Sequence, residues 1–170
     1  MGALPGVRTM RLIFRGLPQQ ALVAAALLMA ILPAAAENAA AASEARTIVF
    51  VCRHGVVNSQ MAAAYFNRVA KERGLSYTAV SRGIDTHRSV PVRIQDGLAL
   101  DGLTPANPPD DLTADQADRA FKVLAFDTIP AERRGSASVT YWPDVPLGIN
   151  DYEATRDEIL RRINGFIAGL

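Results

Sequence analysis

Beyond residue 46, the apolar residues of the chain alternate between the spacing of a strand and the spacing of a helix. Residues 47–52 form a β-branched and aromatic run without polar alternation, which is typical of a strand covered on both faces. Apolar residues then recur at helical spacing over residues 59–73, and Gly74 provides a stop for that helix. The pattern therefore predicts a strand that ends at Cys52, a short loop and a helix.

The same order of elements continues to the end of the chain. Strands are predicted at residues 77–81, 122–126 and 139–142, and helices at 91–100, after a capping box at 113–116, and over 152–168 behind an Asp151 cap. Strands that alternate with helices imply an α/β fold, here a single domain with a four-stranded parallel sheet flanked by helices on both faces. Ligands of such sheets bind outside the carboxyl ends of the strands. Four polar residues follow predicted strands and are expected at that edge: Cys52, Arg82, Asp127 and Asp144.

The first part of the chain has a different pattern. Three arginines within the first sixteen residues precede an unbroken apolar run over residues 21–32, and small residues follow up to Ala36. This order predicts a secretory signal peptide, residues 1–36, followed by an Ala-rich tether, residues 37–46. An uncleaved anchor is the alternative, but spanning a bilayer takes about 20 apolar residues. We therefore expect an exported protein, periplasmic or secreted, whose folded domain is residues 47–170.

Composition narrows the classes of partner. Without residues 1–36, the chain keeps fifteen basic and seventeen acidic residues, a formal charge of −2. This balance gives no indication of a nucleic-acid partner, and nothing beyond the signal segment indicates membrane binding. Two histidines and one cysteine form no ligand-spaced cluster, so no metal and no cofactor are predicted. We expect a monomer.

Cys52 is the only cysteine of the chain, so no internal disulfide can form. A free cysteine is most often a small buried apolar residue, but the position of Cys52 at the end of the first strand favours a chemical role. The loop Cys52-Arg-His-Gly-Val-Val-Asn-Ser59 separates its thiol from a hydroxyl by six residues. Inward amides and the following helix N-terminus can bind an oxyanion and favour the thiolate, which is a nucleophile.

Residues 52–63 resemble the signature of the low-molecular-weight phosphotyrosine phosphatases and of the thioredoxin-type arsenate reductases. The resemblance continues downstream in three segments: Ser81-Arg82-Gly83 where the family has Ser-Ala-Gly, Leu112-Thr-Ala-Asp115 before a strand that ends in Asp127, and Trp142-Pro-Asp-Val-Pro146 before the last helix. Together these segments span most of residues 47–165. The resemblance implies a hydrolase that acts on a phosphomonoester, such as protein phosphotyrosine or a small aryl phosphate, through a phosphocysteine.

The resemblance also assigns roles to individual residues. It implies that Cys52 is the nucleophile, that Ser59 donates a hydrogen bond to its thiolate, and that Asp144 is the general acid. A turn or capping role is the alternative for Asp144, and Asp151 is a weaker substitute. The implied anion-binding residues are Arg53, His54, Gly55, Val56, Val57, Asn58 and, by hypothesis, Arg82.

The sequence departs from the family at the end of the loop. The family has an arginine six positions after the cysteine, and this chain has Asn58, which can donate only neutral hydrogen bonds. Arg82 or Arg53 is our candidate for partial replacement of that charge. The arsenate reductases use further cysteines, which this chain lacks.

Two other functions remain open at this stage. The loss of the loop arginine favours a catalytically inactive anion-binding or interaction module of the same fold. The segment Arg53-His54-Gly55 is similar to the start of the histidine phosphatases, in which His54 would be the nucleophile. Those enzymes need a second histidine late in the chain, whereas His87 is predicted to be an exposed loop residue.

Overall fold

A four-stranded sheet lies at the centre of the part of the chain that the computed structural model describes, which is Gly2 and residues 46–170. Its strands, in chain order, are β1 (Thr47–Cys52), β2 (Thr78–Gly83), β3 (Lys122–Ala125) and β4 (Val139–Tyr141). All neighbouring strands are parallel, in the order β2-β1-β3-β4. The predicted four-stranded parallel sheet is confirmed. The predicted signal peptide and tether lie outside the described residues, apart from Gly2 and Arg46.

Five helices connect and follow the strands in this part of the chain. They are α1 (Asn58–Glu72), α2 (Val92–Leu100), α3 (Ala114–Arg119), α4 (Ala131–Arg134) and α5 (Tyr152–Ile167). The helices other than α4 were predicted, and the Thr113 capping box and the Asp151 cap are both present. The sequence of α4, Ala-Glu-Arg-Arg, contains no apolar periodicity to predict it. No helix between residues 46 and 170 is long and apolar enough to cross a membrane.

The second strand is longer than predicted. Arg82 and Gly83 were predicted to begin a loop, but both belong to β2, opposite Val51 and Cys52 of β1. The prediction was wrong because β1 offers backbone partners as far as Cys52, so the ladder continues where the local sequence alone suggests a stop.

The two faces of the sheet carry two separate cores. On one face, Ile48, Phe50 and Cys52 of β1 belong to a cluster of buried residues that includes α1, α2 and α5. On the other face, Val49 and Val51 pack with residues of α3 and of the segment after β3. This division follows from the alternation of side chains along a strand. It decides which residues can reach the site near Cys52.

Helix α1 begins immediately after the loop that follows Cys52. Eleven of its fifteen residues are buried, among them Tyr65 and Phe66, which are fully buried. Its N-cap residue, Val57, makes no side-chain capping bond, and its first turn contains no acidic residue. The first-turn amides of α1 are therefore not satisfied by a capping side chain, which leaves their partial positive charge directed at the loop.

Candidate active site

The loop between β1 and α1, residues 53–57, is held from outside through its carbonyl groups. Three successive carbonyl oxygens accept hydrogen bonds: that of Arg53 from the amides of Ile84 and Asp85 at 2.9 Å each, that of His54 from the His87 amide at 3.1 Å, and that of Gly55 from Gln60 Nε2 at 3.3 Å. Such bonds fix the orientation of each peptide plane. The loop is therefore built with its carbonyl groups directed outward.

The amides of the same peptide planes point the other way. In a trans peptide the N–H lies opposite the C=O, so the amides of residues 54–56 face the inside of the loop. Within residues 46–170, no protein group accepts a hydrogen bond from the amides of residues 54–57. These amides lie beside the uncapped N-terminus of α1, and a set of convergent free N–H groups at such a terminus can bind a phosphate-sized anion.

Gly55 is the residue that allows this loop to pack against β2. Its φ is +65°, a left-handed conformation that glycine adopts at little cost. A Cβ atom at this position would lie 2.8 Å from the backbone nitrogen of Gly83. A larger residue would therefore push the loop away from the strand and change the direction of its amides.

Cys52 lies at the end of β1 and is 7% exposed. Its Sγ is 3.0 Å from Ser59 Oγ, and Ser81 Oγ donates to Ser59 Oγ at 2.8 Å. Because Ser59 accepts from Ser81, its own hydrogen can be donated to the sulfur. This order of donors allows the hydrogen bond to Cys52 that the sequence assigned to Ser59, and that role stays a prediction.

The side chain of Asn58 makes its hydrogen bonds outside the loop. Its Nδ2 donates to the carbonyl oxygen of Pro146 at 2.9 Å, and its Oδ1 accepts from the amide of Gly148 at 3.0 Å. The side chain therefore binds the segment between β4 and α5, and both ends of its amide are in use. Its predicted anion-binding role stays a prediction, which this placement does not favour.

Arg82 lies on the face of the sheet opposite to Ser59. It is adjacent to Ser81 in β2, so the two side chains leave the strand on opposite faces. Its Nε donates to Gln116 Oε1 of α3 at 3.2 Å, and its Nη1 donates to the Ser81 carbonyl oxygen at 2.8 Å. The hypothesis that Arg82 replaces the charge of the missing loop arginine stays a prediction, which this position does not favour.

The remaining charged residue of the loop, Arg53, has an exposed side chain, while its amide donates to Asp127 Oδ2 at 2.8 Å. The carboxylate of Asp127 is thus fixed next to Cys52, at the end of β3. Asp127 was noted in the sequence only as one of four residues that follow strands, and it was not assigned a role. Asp127 could have been identified only from the adjacency of β1 and β3. That adjacency follows from the strand order of the sheet and cannot be read from the sequence alone.

Asp144, the predicted general acid, lies against α5. Its side chain is 84% exposed, and its Oδ2 is 3.9 Å from Arg162 Nη2. Arg162 also donates to Glu158 and lies over the ring of Trp142. The structure therefore brings Asp127, rather than Asp144, into contact with the loop.

His54 and His87 are neighbours in space. Their rings stack with centroids 4.0 Å apart and an interplanar angle of 20°. His87 was predicted to be an exposed loop residue, and it is exposed, but its contact with the loop was not predicted. Val56 is buried and Val57 is half-buried, so both contribute their amides rather than their side chains.

No group of three or more His, Cys, Asp or Glu side chains comes together to hold a metal ion within residues 46–170. The site that the structure assembles consists of main-chain N–H groups, a thiol and two hydroxyl groups. Such a set is suited to an oxyanion and to nucleophilic attack by sulfur.

No protein-family model matches the chain, and no curated protein matches it. Solved structures, however, are similar to it. YwlE from Bacillus subtilis is 23% identical, with a TM-score of 0.60 over 69% of this chain and 93% of that protein; another structure names YwlE an arginine phosphatase. A low molecular weight protein tyrosine phosphatase from Bacillus subtilis is 22% identical, with a TM-score of 0.61 over 72% of this chain and 95% of that one.

The third similar structure is an arsenate reductase from Archaeoglobus fulgidus, which is 25% identical, with a TM-score of 0.55 over 71% of this chain and 98% of that protein. These similarities confirm, at the level of the fold, the resemblance that the motifs indicated. The chain therefore has the fold of the low-molecular-weight protein tyrosine phosphatases and of this arsenate reductase.

Proposed function

We propose that this protein is a slow phosphatase that hydrolyses a phosphomonoester through Cys52. The thiolate attacks phosphorus, the bond to the leaving oxygen breaks, and the released alcohol takes up a proton. Water then attacks the phosphocysteine, which releases phosphate and restores the thiolate. The observation that carries this proposal is the hydrogen-bonded chain from Ser81 through Ser59 to Cys52, next to a loop whose amides at residues 54–57 donate to no protein group within residues 46–170.

A slow rate follows from the charges available at the loop. The main-chain N–H groups and the α1 dipole supply neutral and partial charges, but the side chain at position 58 adds no charged donor. Removal of one donor to a developing negative charge typically lowers kcat by about 10²–10³. We therefore expect turnover well below that of an enzyme with an arginine in the loop.

The substrate class rests on the similar structures. They include a protein named as a tyrosine phosphatase and one named as an arginine phosphatase, so an aryl phosphate and a phosphorylated guanidine are both reasonable substrates to test. An aryl phosphate is the first choice because its phenolate is a good leaving group and needs little help from a general acid.

The direct test is hydrolysis of para-nitrophenyl phosphate by the full-length protein and by its Cys52→Ser variant. We expect a low rate that falls at least about tenfold in the variant, because a serine hydroxyl is a much weaker nucleophile than a thiolate. Equal rates in the two proteins, with folding confirmed by circular dichroism, would rule out catalysis through Cys52.

The second candidate function is an anion-binding module without turnover. The use of both ends of the Asn58 amide by the segment at residues 146–148 favours this candidate, because the position that should stabilise the transition state is engaged elsewhere. Iodoacetamide labelling of Cys52 that phosphate slows, in a protein without any hydrolysis of aryl phosphate or phosphoarginine, would support this module over the enzyme.

We also propose that the protein is exported and that residues 1–36 are removed. The proposal depends on the basic lead, the apolar run and the small residues that end at Ala36. The intact mass of the protein recovered from the periplasm or the medium tests it, and a product that retains residues 1–36 contradicts it.

A further inference from the structure

The chain has two histidines, separated by 32 residues, and they form a stacked pair beside its only cysteine. The contact is built by the backbone rather than by two mobile side chains. The amides of Ile84 and Asp85 both donate to the Arg53 carbonyl, and the amide of His87 donates to the carbonyl of His54. The segment that carries His87 is thus hydrogen-bonded to two successive residues of the loop, Arg53 and His54.

The hydrogen bond of the His54 ring determines which nitrogen can exchange a proton. His54 Nδ1 lies 3.1 Å from the carbonyl oxygen of Asp85, and a carbonyl oxygen can only accept a hydrogen bond. Nδ1 therefore carries the hydrogen in the neutral ring. Nε2 is the atom that takes up a proton, and the ring gains a full positive charge when it does.

The position of His54 brings that charge close to the proposed anion site. His54 belongs to the loop itself, and its amide is one of the N–H groups that donate to no protein group within residues 46–170. An anion held by that amide is separated from the imidazole by the atoms of a single residue. The centroid of the His87 ring lies 4.0 Å from the centroid of the His54 ring. Two imidazolium rings in a stack repel each other, and a dianion beside them offsets this repulsion.

Other charged groups surround the pair. The loop contributes Cys52 and Arg53, the segment after β2 contributes Asp85 and Arg88, and Asp127 approaches from β3 through the Arg53 amide. Asp111 accepts from the Thr86 amide on the same side. Carboxylates and guanidinium groups ordinarily keep their charge between about pH 5 and pH 8. Imidazoles ordinarily change theirs in this range, and a thiolate favoured by its surroundings can also do so.

We infer that His54 and His87 form a protonation-controlled anion subsite on the rim of the Cys52 loop. The pair takes up protons together with the oxyanion, so the protein binds its anionic ligand more tightly in mildly acidic solution than in mildly alkaline solution. This inference rests on the proposed function, because it requires that the loop binds an oxyanion. It adds a recognition element for doubly charged anions, built from side chains outside the amide cradle.

The test uses inorganic sulfate and the full-length Cys52→Ser protein. Sulfate stays a dianion across the range from about pH 5.5 to pH 8, and the serine removes the titrating thiol, so the two histidines are the groups left to cause a pH effect. Titration calorimetry at constant ionic strength should give a dissociation constant on the order of tenfold lower at about pH 5.5 than at about pH 8.

Two control proteins separate the pair from the rest of the loop. The His54→Gln/His87→Gln variant in the same background should bind sulfate with nearly the same affinity at both pH values. The single His87→Gln variant, which changes only an exposed side chain, should lose part of the pH effect and should fold in any case.

The outcomes distinguish this inference from the function on which it rests. Sulfate binding with equal affinity at both pH values, or a pH effect that the double variant retains, overturns the histidine subsite and leaves the anion-binding loop intact. No sulfate binding at any pH by the folded protein overturns the loop proposal and the subsite together.

Discussion

The asparagine at position 58 changes what the end of the loop can do. Asn58 is 4% exposed, and its side chain bonds to two backbone groups, the carbonyl of Pro146 and the amide of Gly148. Gly148 also packs closely against α1, since a Cβ atom at this position would lie 2.6 Å from Met61 Sδ. Asn58 therefore fastens the segment between β4 and α5 to the start of α1, a role that an arginine directed at an anion could not fill.

This role predicts a loss of stability when the amide is replaced by an apolar side chain of similar size. In Asn58→Leu, the buried amide of Gly148 loses its partner, while the Pro146 carbonyl keeps its bond from Thr155 Oγ1, and we expect a loss of about 1–3 kcal/mol in the free energy of unfolding, measured in urea. Asn67→Leu is the matched control, because Asn67 makes the same two bonds to the backbone of Ala79 away from the loop. Both variants should lose stability, and only Asn58→Leu should also change sulfate binding. An unchanged unfolding curve for Asn58→Leu contradicts the fastening role.

The second prediction at this scale concerns the proton donor. Both carboxylates are exposed, but Asp127 accepts a hydrogen bond from the Arg53 amide of the loop, whereas Asp144 is ion-paired with Arg162 of α5. We expect Asp127→Asn to lower kcat for a phosphate ester with a poor leaving group by at least about tenfold, and Asp144→Asn to change it by less than about threefold. Both variants should hydrolyse para-nitrophenyl phosphate with smaller changes. The reverse ranking would support Asp144, and not Asp127, as the general acid.

Among the elements, α5 carries the most concentrated charge network. Arg161 and Arg162 hold Glu158 between them, with Arg161 Nε at 2.7 Å from Oε2 and Arg162 Nε at 2.5 Å from Oε1. The hydrogen bonds from Arg161 and Arg162 lower the pKa of Glu158 to about 2. The folded state thus binds the proton less tightly than the unfolded chain, in which the pKa is 4.5.

The sign of the pH dependence follows from this pKa. A carboxyl group with a lowered pKa in the folded state contributes stability above pH 4.5, and that contribution is lost as the pH falls towards 2. Glu158→Gln should cost about 1 kcal/mol at neutral pH, a value discounted for solvent screening, and should flatten the loss of stability in acid. Glu72→Gln, which removes a 3.9 Å contact on an exposed part of α1, serves as the control with a smaller effect. An acid unfolding curve identical to that of the parent contradicts the prediction.

At the scale of the molecule, a buried polar cluster joins helices that are distant in the chain. Tyr65 of α1 donates a hydrogen bond to Asp101 after α2, and its hydroxyl is 2.6 Å from that of Tyr152 at the start of α5. Burial, followed by these two hydrogen bonds, raises the pKa of Tyr65 far above the ordinary range. Burial also raises the pKa of Tyr152. The phenol groups therefore stay protonated in the folded protein.

This cluster predicts sensitivity to alkali. A phenol whose pKa is raised in the folded state contributes stability that is present below about pH 10 and is lost as the pH rises beyond it. Tyr65→Phe should lower the free energy of unfolding by about 1–3 kcal/mol at neutral pH and should weaken the decline above about pH 10. Tyr141→Phe, at a side chain that is 39% exposed, is the control and should change stability by less than about 0.5 kcal/mol. A larger loss in the control than in Tyr65→Phe would disprove the role of the cluster.

The sequence predicts the parts of this fold that depend on neighbours in the chain. The strand that ends at Cys52, the helix that follows its loop and the Asp151 cap are local patterns, and the structure confirms them. Contacts between distant segments could not be predicted, because they require the relative positions of elements. The bond from Asn58 to Gly148 spans 90 positions, and the histidine stack spans 33. Arg82 was misplaced because the end of β2 depends on its neighbour in the sheet.

The chain contains a single tryptophan, Trp142, and its location makes it an internal spectroscopic reporter. Trp142 is 7% exposed, its indole packs against Phe50 and Phe126, and it precedes the segment that Asn58 fastens. Release of that segment would let water reach the ring and shift its fluorescence emission to longer wavelength. Emission from one indole can thus follow, in real time, whether the region beside the loop opens when an anion enters.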